Sequence, residues 1–295
     1  SYVHPFGFNW LNFEAALTLG AFDPSARGLI FIFLAAICLV CLPKFYKLAS
    51  ILCLVFALQI SSKEPRFLPF EVELTQTSVA QKMRWDKHMK DEFINRNLAM
   101  IDDAINSGKR LIIFPESAFP TFMTHERELQ NELKEKSHRI AVVAGALAYE
   151  NGQNYNSAFL FDGGRMQRFD KFILVPFGEE IPLPGFIKDF VNRVFFGGAS
   201  DFIGAKSVSD YEIDGVKIRS AVCYEATTDP LFAGDFSVMI AITNNGWFTP
   251  STEPALQRIL LKYYATKYGK TIYHAVNGSR SEIITPKRAL INFKE

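Results

Sequence analysis

Three short apolar runs end on ionisable residues, and this pattern constrains the fold of the chain more than any other. Leu111-Ile-Ile-Phe-Pro-Glu116 places a carboxylate after an apolar stretch, and Arg168-Phe-Asp-Lys171 places an ammonium before Phe-Ile-Leu-Val-Pro-Phe177. Lys217-Ile-Arg-Ser-Ala-Val-Cys-Tyr-Glu-Ala226 delivers a thiol and then stops. Short apolar runs of this kind read as buried strands. Carboxylates and ammoniums are almost never fully buried unless paired. A lone cysteine is usually a small buried hydrophobe; the company of Glu116 and Lys171 argues for more at Cys223. Brought together, the three make a nucleophile with a base and a cationic stabiliser.

The chain has 295 residues, enough for one large core or two modest ones, and 48% of them are hydrophobic. That apolar excess gathers near the N-terminus, in Leu29 to Leu42 and Leu48 to Ile60, separated by Pro43-Lys-Phe-Tyr-Lys47. Each run is shorter than the roughly 20 residues that span a bilayer, so a pair of core helices is one reading. Neither run carries a charge or an amphipathic stripe, and Lys44 and Lys47 can snorkel. The favoured expectation is therefore a transmembrane helical hairpin over 28–61, preceded by an interfacial segment of no clear structure over 1–27. By the positive-inside rule the basic connection lies in the cytoplasm, which sends residues 61 onward to the periplasmic face. Ser1 is not an initiator methionine, so the chain reads as processed or as a fragment.

A net charge of +1, with Lys and Arg spread along the chain, leaves no electrostatic footprint for nucleic acid. Cys38, Cys41 and Cys53 lie in the apolar runs, and Cys223 has no partner for a disulfide framework. His4, His88, His125, His138 and His274 never fall at metal-ligand spacing, so neither metal nor cofactor is implied.

After the polar break Ser61-Ser-Lys-Glu-Pro-Arg66 the pattern alternates. Strands are expected at Val72 to Val79, Leu111 to Phe114, Ile140 to Leu147, Ala158 to Phe161, Met166 to Phe169, the Cys223 run, Val238 to Thr243, Thr271 to Val276 and Glu282 to Thr285. Helices are expected at Met89 to Ile105, His125 to Lys136 and Pro254 to Tyr268, and Asp162-Gly-Gly164 is a hairpin signal. Interleaved strands and helices imply sheets covered by helices, an α/β architecture.

With these residues placed, the constellation resembles the nitrilase superfamily of carbon-nitrogen hydrolases, whose triad is Glu, Lys and Cys. Phe114-Pro-Glu-Ser-Ala-Phe-Pro120, Asp170-Lys-Phe-Ile-Leu-Val-Pro-Phe-Gly-Glu179, Val222-Cys-Tyr-Glu225 and Asn245-Gly-Trp-Phe248 are more similar still to its apolipoprotein N-acyltransferase branch. Val72-Glu-Leu-Thr-Gln-Thr-Ser-Val-Ala-Gln81 and Lys82-Met-Arg-Trp-Asp86 resemble the opening of that family's catalytic domain. The likeness covers about residues 68–290 and implies a nitrilase-like four-layer αββα sandwich behind the transmembrane hairpin. It also implies that family members carry further membrane helices on both sides, so the chain looks truncated at both ends. Asn245 stands where the family usually has an acidic residue, and His274 with Val276-Asn-Gly278 replaces a more Arg/Thr-like run. Altered packing beneath the site is the expected consequence.

The resemblance implies an enzyme of lipoprotein maturation. Glu116 would take the proton from Cys223, whose thiolate would attack a phospholipid acyl ester and form a thioester. The acyl chain would then pass to the N-terminal amine of a diacylglyceryl-modified lipoprotein. Lys171 would meet the oxyanion and lower the thiol's pKa, with the backbone N–H of Tyr224 as second donor. Glu179 would orient Lys171 or Glu116; Glu225 is either a network partner or a solvated carboxylate. Trp247 and Phe248 would wall a lipid pocket. Phe186, Ile187, Phe190, Val191, Val194 and Phe195 form an apolar stripe opposite Lys188, Asp189, Asn192 and Arg193. That helix either packs on the core or, hinged at Phe196-Gly-Gly198, dips into the membrane as a lid; in the second case Phe190 and Phe195 touch the substrate. The expected protein is a monomer in the bacterial inner membrane. Two other classes remain open at this stage, a nitrilase-fold amidase acting on a small amide and a scaffold without turnover.

Overall fold

The computed structural model describes residues 12–84, 88–176, 178–179, 202–248 and 250–289. Strands β1 (Val72–Leu74), β3 (Leu111–Ile113), β4 (Ala141–Glu150), β5 (Gln153–Asp162) and β6 (Arg165–Asp170) form one sheet in the order β1-β3-β4-β5-β6. A second sheet runs β11 (Glu282–Ile284), β10 (Thr271–Asn277), β9 (Val238–Asn244), β8 (Val216–Val222) and β7 (Asp210–Ile213). The strands that lead toward the candidate residues, β3 with β4 and β8 with β9, pair in parallel, so their carboxyl ends lie on one edge.

Alternation along the strands builds the layers. Leu111 and Ile113 of β3 meet Val143, Ile218, Val222, Ile240 and Ile242 in a core between the sheets, while Ile112 and Val142 turn outward. The outward face of the first sheet is covered by helices, numbered here after α1 (Ala26–Cys41), α2 (Ala49–Ala57) and the short α3 (Gln81–Arg84), namely α4 (Lys90–Asn106) and α5 (Arg127–Lys136). The outward face of the second is covered by α6 (Glu253–Tyr268). Strands covered on both faces need apolar residues at nearly every position, which is why these runs lack a polar stripe. The result is the αββα sandwich that the family resemblance implies, on the α/β layering that the alternation implies.

Several boundaries differ from expectation for identifiable reasons. The Val72–Val79 run is not one strand in one sheet. Its first half pairs with β3, the Thr75 N–H donates to the Ile113 carbonyl at 3.0 Å, and β2 (Gln76–Thr77) then joins β10 of the other sheet. A chain passing between layers can satisfy its backbone groups only by changing partner in this way. β7, absent from the sequence reading, pairs antiparallel with β8 around the turn at Asp214-Gly215, where both residues have positive φ. Buried Arg219 on β8 is paired with Asp210 of β7 and donates to the Leu231 carbonyl at 2.6 Å and the Ala233 carbonyl at 2.9 Å. It thereby ties the segment that follows Cys223 to the sheet that precedes it.

At the N-terminal end, residues 13–19 are not irregular but form a 3-10 helix whose Ala15 joins the core beneath α6. The Lys287 ammonium donates to the Leu17 and Phe22 carbonyls at 3.0 and 2.7 Å, strapping this stretch to the sandwich. α1 and α2 do form a hairpin, with Phe31 and Phe56 stacked at 5.4 Å between ring centroids. α2 ends at Ala57 because Leu58 turns extended and bridges Phe22. Among the described residues no helix is long and apolar enough to cross a membrane, so the expected spanning length is not met. The hairpin nevertheless leaves Ile30, Phe33, Ile37, Val40, Ile51 and Val55 each more than half exposed. Contiguous apolar surface of this kind marks a contact with lipid or protein.

Candidate active site

Glu116 lies on the loop leaving β3, and that loop is held against β4 at Gly145. The Gly145 N–H donates to the Pro115 carbonyl at 3.2 Å, and its own carbonyl accepts from the Phe119 N–H at 3.2 Å. A Cβ at position 145 would stand 2.5 Å from the Ser117 nitrogen and 2.6 Å from the Glu116 Cα, so the crossing requires glycine. Ser117 itself has φ +52°, a conformation costing on the order of 1–3 kcal/mol for a residue with a side chain. The carboxylate so aimed is buried and accepts from donors on different sheets. Asn156 Nδ2 of β5 reaches Oε1 at 2.7 Å, and the Asn244 backbone N–H at the end of β9 reaches Oε2 at 2.8 Å.

Lys171 follows β6, and its ammonium is 1% exposed and 2.6 Å from Glu179 Oε2. Glu179 also accepts from Asn156 Nδ2 at 2.8 Å and from the Val175 N–H at 2.9 Å. One amide therefore holds two carboxylates, Glu116 and Glu179, and the orientation that points NH₂ at both is the one their lone pairs demand. Glu179 pairs with Lys171 directly and is linked to Glu116 through the shared Asn156 amide.

Cys223 terminates β8 with φ +56° and opens a 3-10 turn, Cys223–Thr227. Positive φ in a residue with a side chain marks strain that the surroundings must impose. Glu225 imposes it here. Its Oε1 accepts from the Val222 N–H at 2.7 Å, and its Oε2 from the Phe172 and Ile173 N–H groups at 2.7 and 3.0 Å. Glu225 is thus a buried network partner, not a solvated carboxylate, and it ties the thiol's turn to the loop carrying Lys171. Tyr224 is buried in that turn beside the thiol. Gln257, on α6, approaches Sγ with Nε2 at 4.0 Å and accepts from Asn245 Nδ2 at 3.4 Å.

Glu116, Lys171 and Cys223 act on one another electrostatically, and the signs of their shifts follow from burial. Burial pushes the Cys223 thiol well up, the Glu116 charge adds to that, and Lys171 opposes both. Lys171 does pull the thiol's pKa down, as its expected role requires, but burial and the Glu116 charge outweigh that pull. Burial also raises Glu116 above the ordinary carboxylate range, against the pull of Lys171 and of its Asn156 and Asn244 donors. For Lys171 burial alone would lower the value, but Glu179, Cys223 and Glu116 together hold the ammonium above its ordinary range. Glu225 is pushed up to about 7, chiefly by burial. Burial thus favours the neutral thiol at Cys223 and raises Glu116, while the Lys171 ammonium stays charged. Such a site is suited to nucleophilic attack on an acyl carbon with proton transfer to Glu116.

The structure brings together Glu116, Lys171, Cys223, Glu179, Tyr224 and Glu225. Trp247 and Phe248 follow the β9 end that carries Asn244 and are 65% and 40% exposed, rim residues and not core. Phe190 and Phe195, with the expected lid helix, lie outside the described residues. Three neighbours escaped the sequence reading: Asn156, Asn244 and Gln257. The signal for Asn156 was a polar residue just ahead of the apolar run in β5, and for the Glu116 loop a glycine inside buried β4. His274, one of the residues departing from the family pattern, is buried, bonds Thr243 Oγ1 at 2.8 Å, and is held neutral by burial at about 4. Among the described residues no group of three or more His, Cys, Asp or Glu is placed to hold a metal ion.

Residues 77–270 match the carbon-nitrogen hydrolase family model, and residues 1–60 match the apolipoprotein N-acyltransferase integral membrane domain. Among solved structures, a CN-hydrolase superfamily protein from Xanthomonas campestris aligns with TM-score 0.56 at 15% identity, over 74% of this chain and 83% of that one. An amidase from Nesterenkonia sp. aligns with TM-score 0.54 at 16% identity, over 75% of this chain and 84% of that one. These likenesses define the sandwich as a carbon-nitrogen hydrolase fold. The apolipoprotein N-acyltransferase of Wolinella succinogenes is 45% identical over 97% of this chain and 70% of its own length. Those of Campylobacter jejuni and Helicobacter pylori are 37% and 36% identical over 98% and 97% of this chain, and 65% and 68% of their own lengths. The chain belongs to the apolipoprotein N-acyltransferase family, membrane-associated bacterial enzymes that N-acylate lipoproteins. The amidase alternative rests on distant likeness of fold alone.

Two outcomes follow from the way Glu116 is held. Gly145→Ala, by displacing the Glu116 loop, is expected to lower the acylation rate roughly 10²-fold, with the folded state retained by circular dichroism. Asn156→Ala removes a donor that lowers the Glu116 pKa. The base form of a raised carboxylate is lost as pH falls through its pKa, so the acid limb of the pH–rate profile moves to higher pH. An unshifted limb would contradict this role for Asn156.

Proposed function

We propose that Cys223 carries the acyl chain as a thioester between a phospholipid donor and the N-terminal amine of a diacylglyceryl-modified lipoprotein. Glu116 takes the thiol proton as sulfur attacks the ester carbonyl. The tetrahedral oxyanion is met by the Lys171 ammonium and the Tyr224 backbone N–H. As the carbon–oxygen bond breaks, Glu116 returns the proton to the departing lysophospholipid. In the second half the amine attacks the thioester, its N–H proton passes through Glu116 to the thiolate, and the amide leaves. Glu179 positions Lys171 through the 2.6 Å ion pair, and Glu225 holds the turn that presents the thiol.

The observation that supports this reading is the joint hold on Glu116 by Asn156 and Asn244, which fixes a buried carboxyl whose charge acts on the buried Cys223 thiol, in a chain of this family. Exposed Trp247 and Phe248 would rim the entry for acyl chains. Residues 28–61 would attach the catalytic domain, 68–290, to the inner membrane with its site on the periplasmic face. The enzyme would act as a monomer, without cofactor.

The test is intact-protein mass measurement after incubation with phospholipid vesicles lacking acceptor. Wild type is expected to gain the mass of one acyl chain, released by hydroxylamine and mapped to Cys223. Cys223→Ala is expected to gain none. A stable absence of acyl mass in wild type that nevertheless transfers acyl chains to lipopeptide would exclude the thioester route.

A further inference from the structure

We propose that Glu253 is a second base of this site: it receives the acceptor's α-ammonium, takes its extra proton and releases the free amine toward the Cys223 thioester. The inference rests on the thioester reading above and deepens its second half.

The need for such a group comes from counting protons. An N-terminal amine has an ordinary pKa of about 7.7–8.0, so much of it arrives as R–NH₃⁺, which has no lone pair to attack with. One proton must leave before attack and another after the carbon–nitrogen bond forms. Glu116 takes the later one and returns it to the thiolate, which closes its own cycle and leaves the first proton without an acceptor. A second carboxylate solves this if it faces the same thiol and is not already neutralised by a protein cation.

Among the described residues Glu253 meets those conditions. It opens α6, and Gln257, one turn further along the same face, is the residue whose amide approaches Cys223 Sγ at 4.0 Å. The first turn of the helix is therefore presented to the thiol. Glu253 Oε2 is buried with no hydrogen-bond partner among the described residues. A buried carboxylate oxygen without a donor carries a desolvation cost that native structures rarely leave standing without a use. Its charge raises the Cys223 thiol, and the Glu116 charge raises Glu253 in turn. By contrast, Lys171, the ammonium acting on Glu116 and Glu225, is taken up by Glu179 at 2.6 Å. Among the described residues the site thus holds more carboxylate than cation, and an incoming ammonium supplies what is missing. Burial, followed by the Glu116 charge, pushes Glu253 up to about 7, close enough to an α-ammonium for proton exchange near neutrality.

The proton balance then closes. Glu253 carboxylate takes one proton from R–NH₃⁺, giving R–NH₂ and a carboxylic acid. The nitrogen bonds to the thioester carbon, the second proton moves to Glu116, the carbon–sulfur bond breaks, and Glu116 protonates the leaving thiolate. Glu253 returns its proton to water.

The full chain is assayed in phosphatidylethanolamine vesicles, first without acceptor and then with a synthetic diacylglyceryl-cysteine peptide. For Glu253→Gln, acyl-Cys223 is expected to form no more slowly than in wild type and to accumulate. Transfer to the peptide is expected to fall roughly tenfold or more and to recover as pH rises and free amine replaces ammonium. Glu253→Asp is expected to retain part of the transfer. Equal loss in both half-reactions, no loss in either, or a transfer defect independent of pH overturns the proposal. A wild type that never acylates Cys223 overturns the thioester route beneath it instead, so the two failures are told apart.

Discussion

The clasp on the Glu116 carboxylate is the interaction on which the rest depends. One oxygen is held by a side chain of the first sheet and the other by a backbone N–H of the second. Neither sheet alone can place that group. The sandwich must close before the base is aimed, and the strand that passes from β1 to β2 between the layers fixes their relative register at this edge. Gly145 contributes by being absent as a side chain, since any Cβ there would occupy the loop's backbone position. Site and fold therefore share the same contacts.

Electrostatics in the site is governed by scarcity of water more than by any single pair. Desolvation is the first cause acting on Glu116, Lys171, Cys223 and Glu225 alike, and the neighbours correct it with opposite signs. The thiol ends up and the ammonium stays charged. A thiol kept neutral at rest is protected from stray electrophiles and oxidation, which act on the thiolate. Attack then requires an acyl carbon in place and a base to receive the proton together, so the arrangement couples reactivity to substrate.

Much of this was legible in the sequence, for a physical reason. Strands that end on Glu116, Lys171 and Cys223 break the rule that buried runs end on neutral turns, so the conflict itself marks the site. The alternation of strand and helix gave the layers because each element has a distinct period. What escaped notice was set by partners distant in sequence. Asn156 is unremarkable until Glu116 and Glu179 are both seen to need its amide, and Gln257 sits in a helix whose apolar pattern says nothing about a thiol. The switch of sheets within Val72–Thr77 leaves no trace in a run of continuous β propensity. The apolar runs near the N-terminus predicted a hairpin correctly and its span too generously, because Leu58 is drawn out of α2 to bridge Phe22. Residues 1–60 nonetheless match an integral membrane domain, and the hairpin's exposed Ile, Phe and Val side chains are the surface such a domain presents.

Burial makes the resting Cys223 a thiol and not a preformed thiolate. Thiolate absorbance in the ultraviolet, titrated in wild type and subtracted by the same titration of Cys223→Ala, reads this directly. No difference signal is expected at neutral pH, with a rise only above the ordinary cysteine range of about 8.5. A full thiolate signal already present at neutral pH would contradict it.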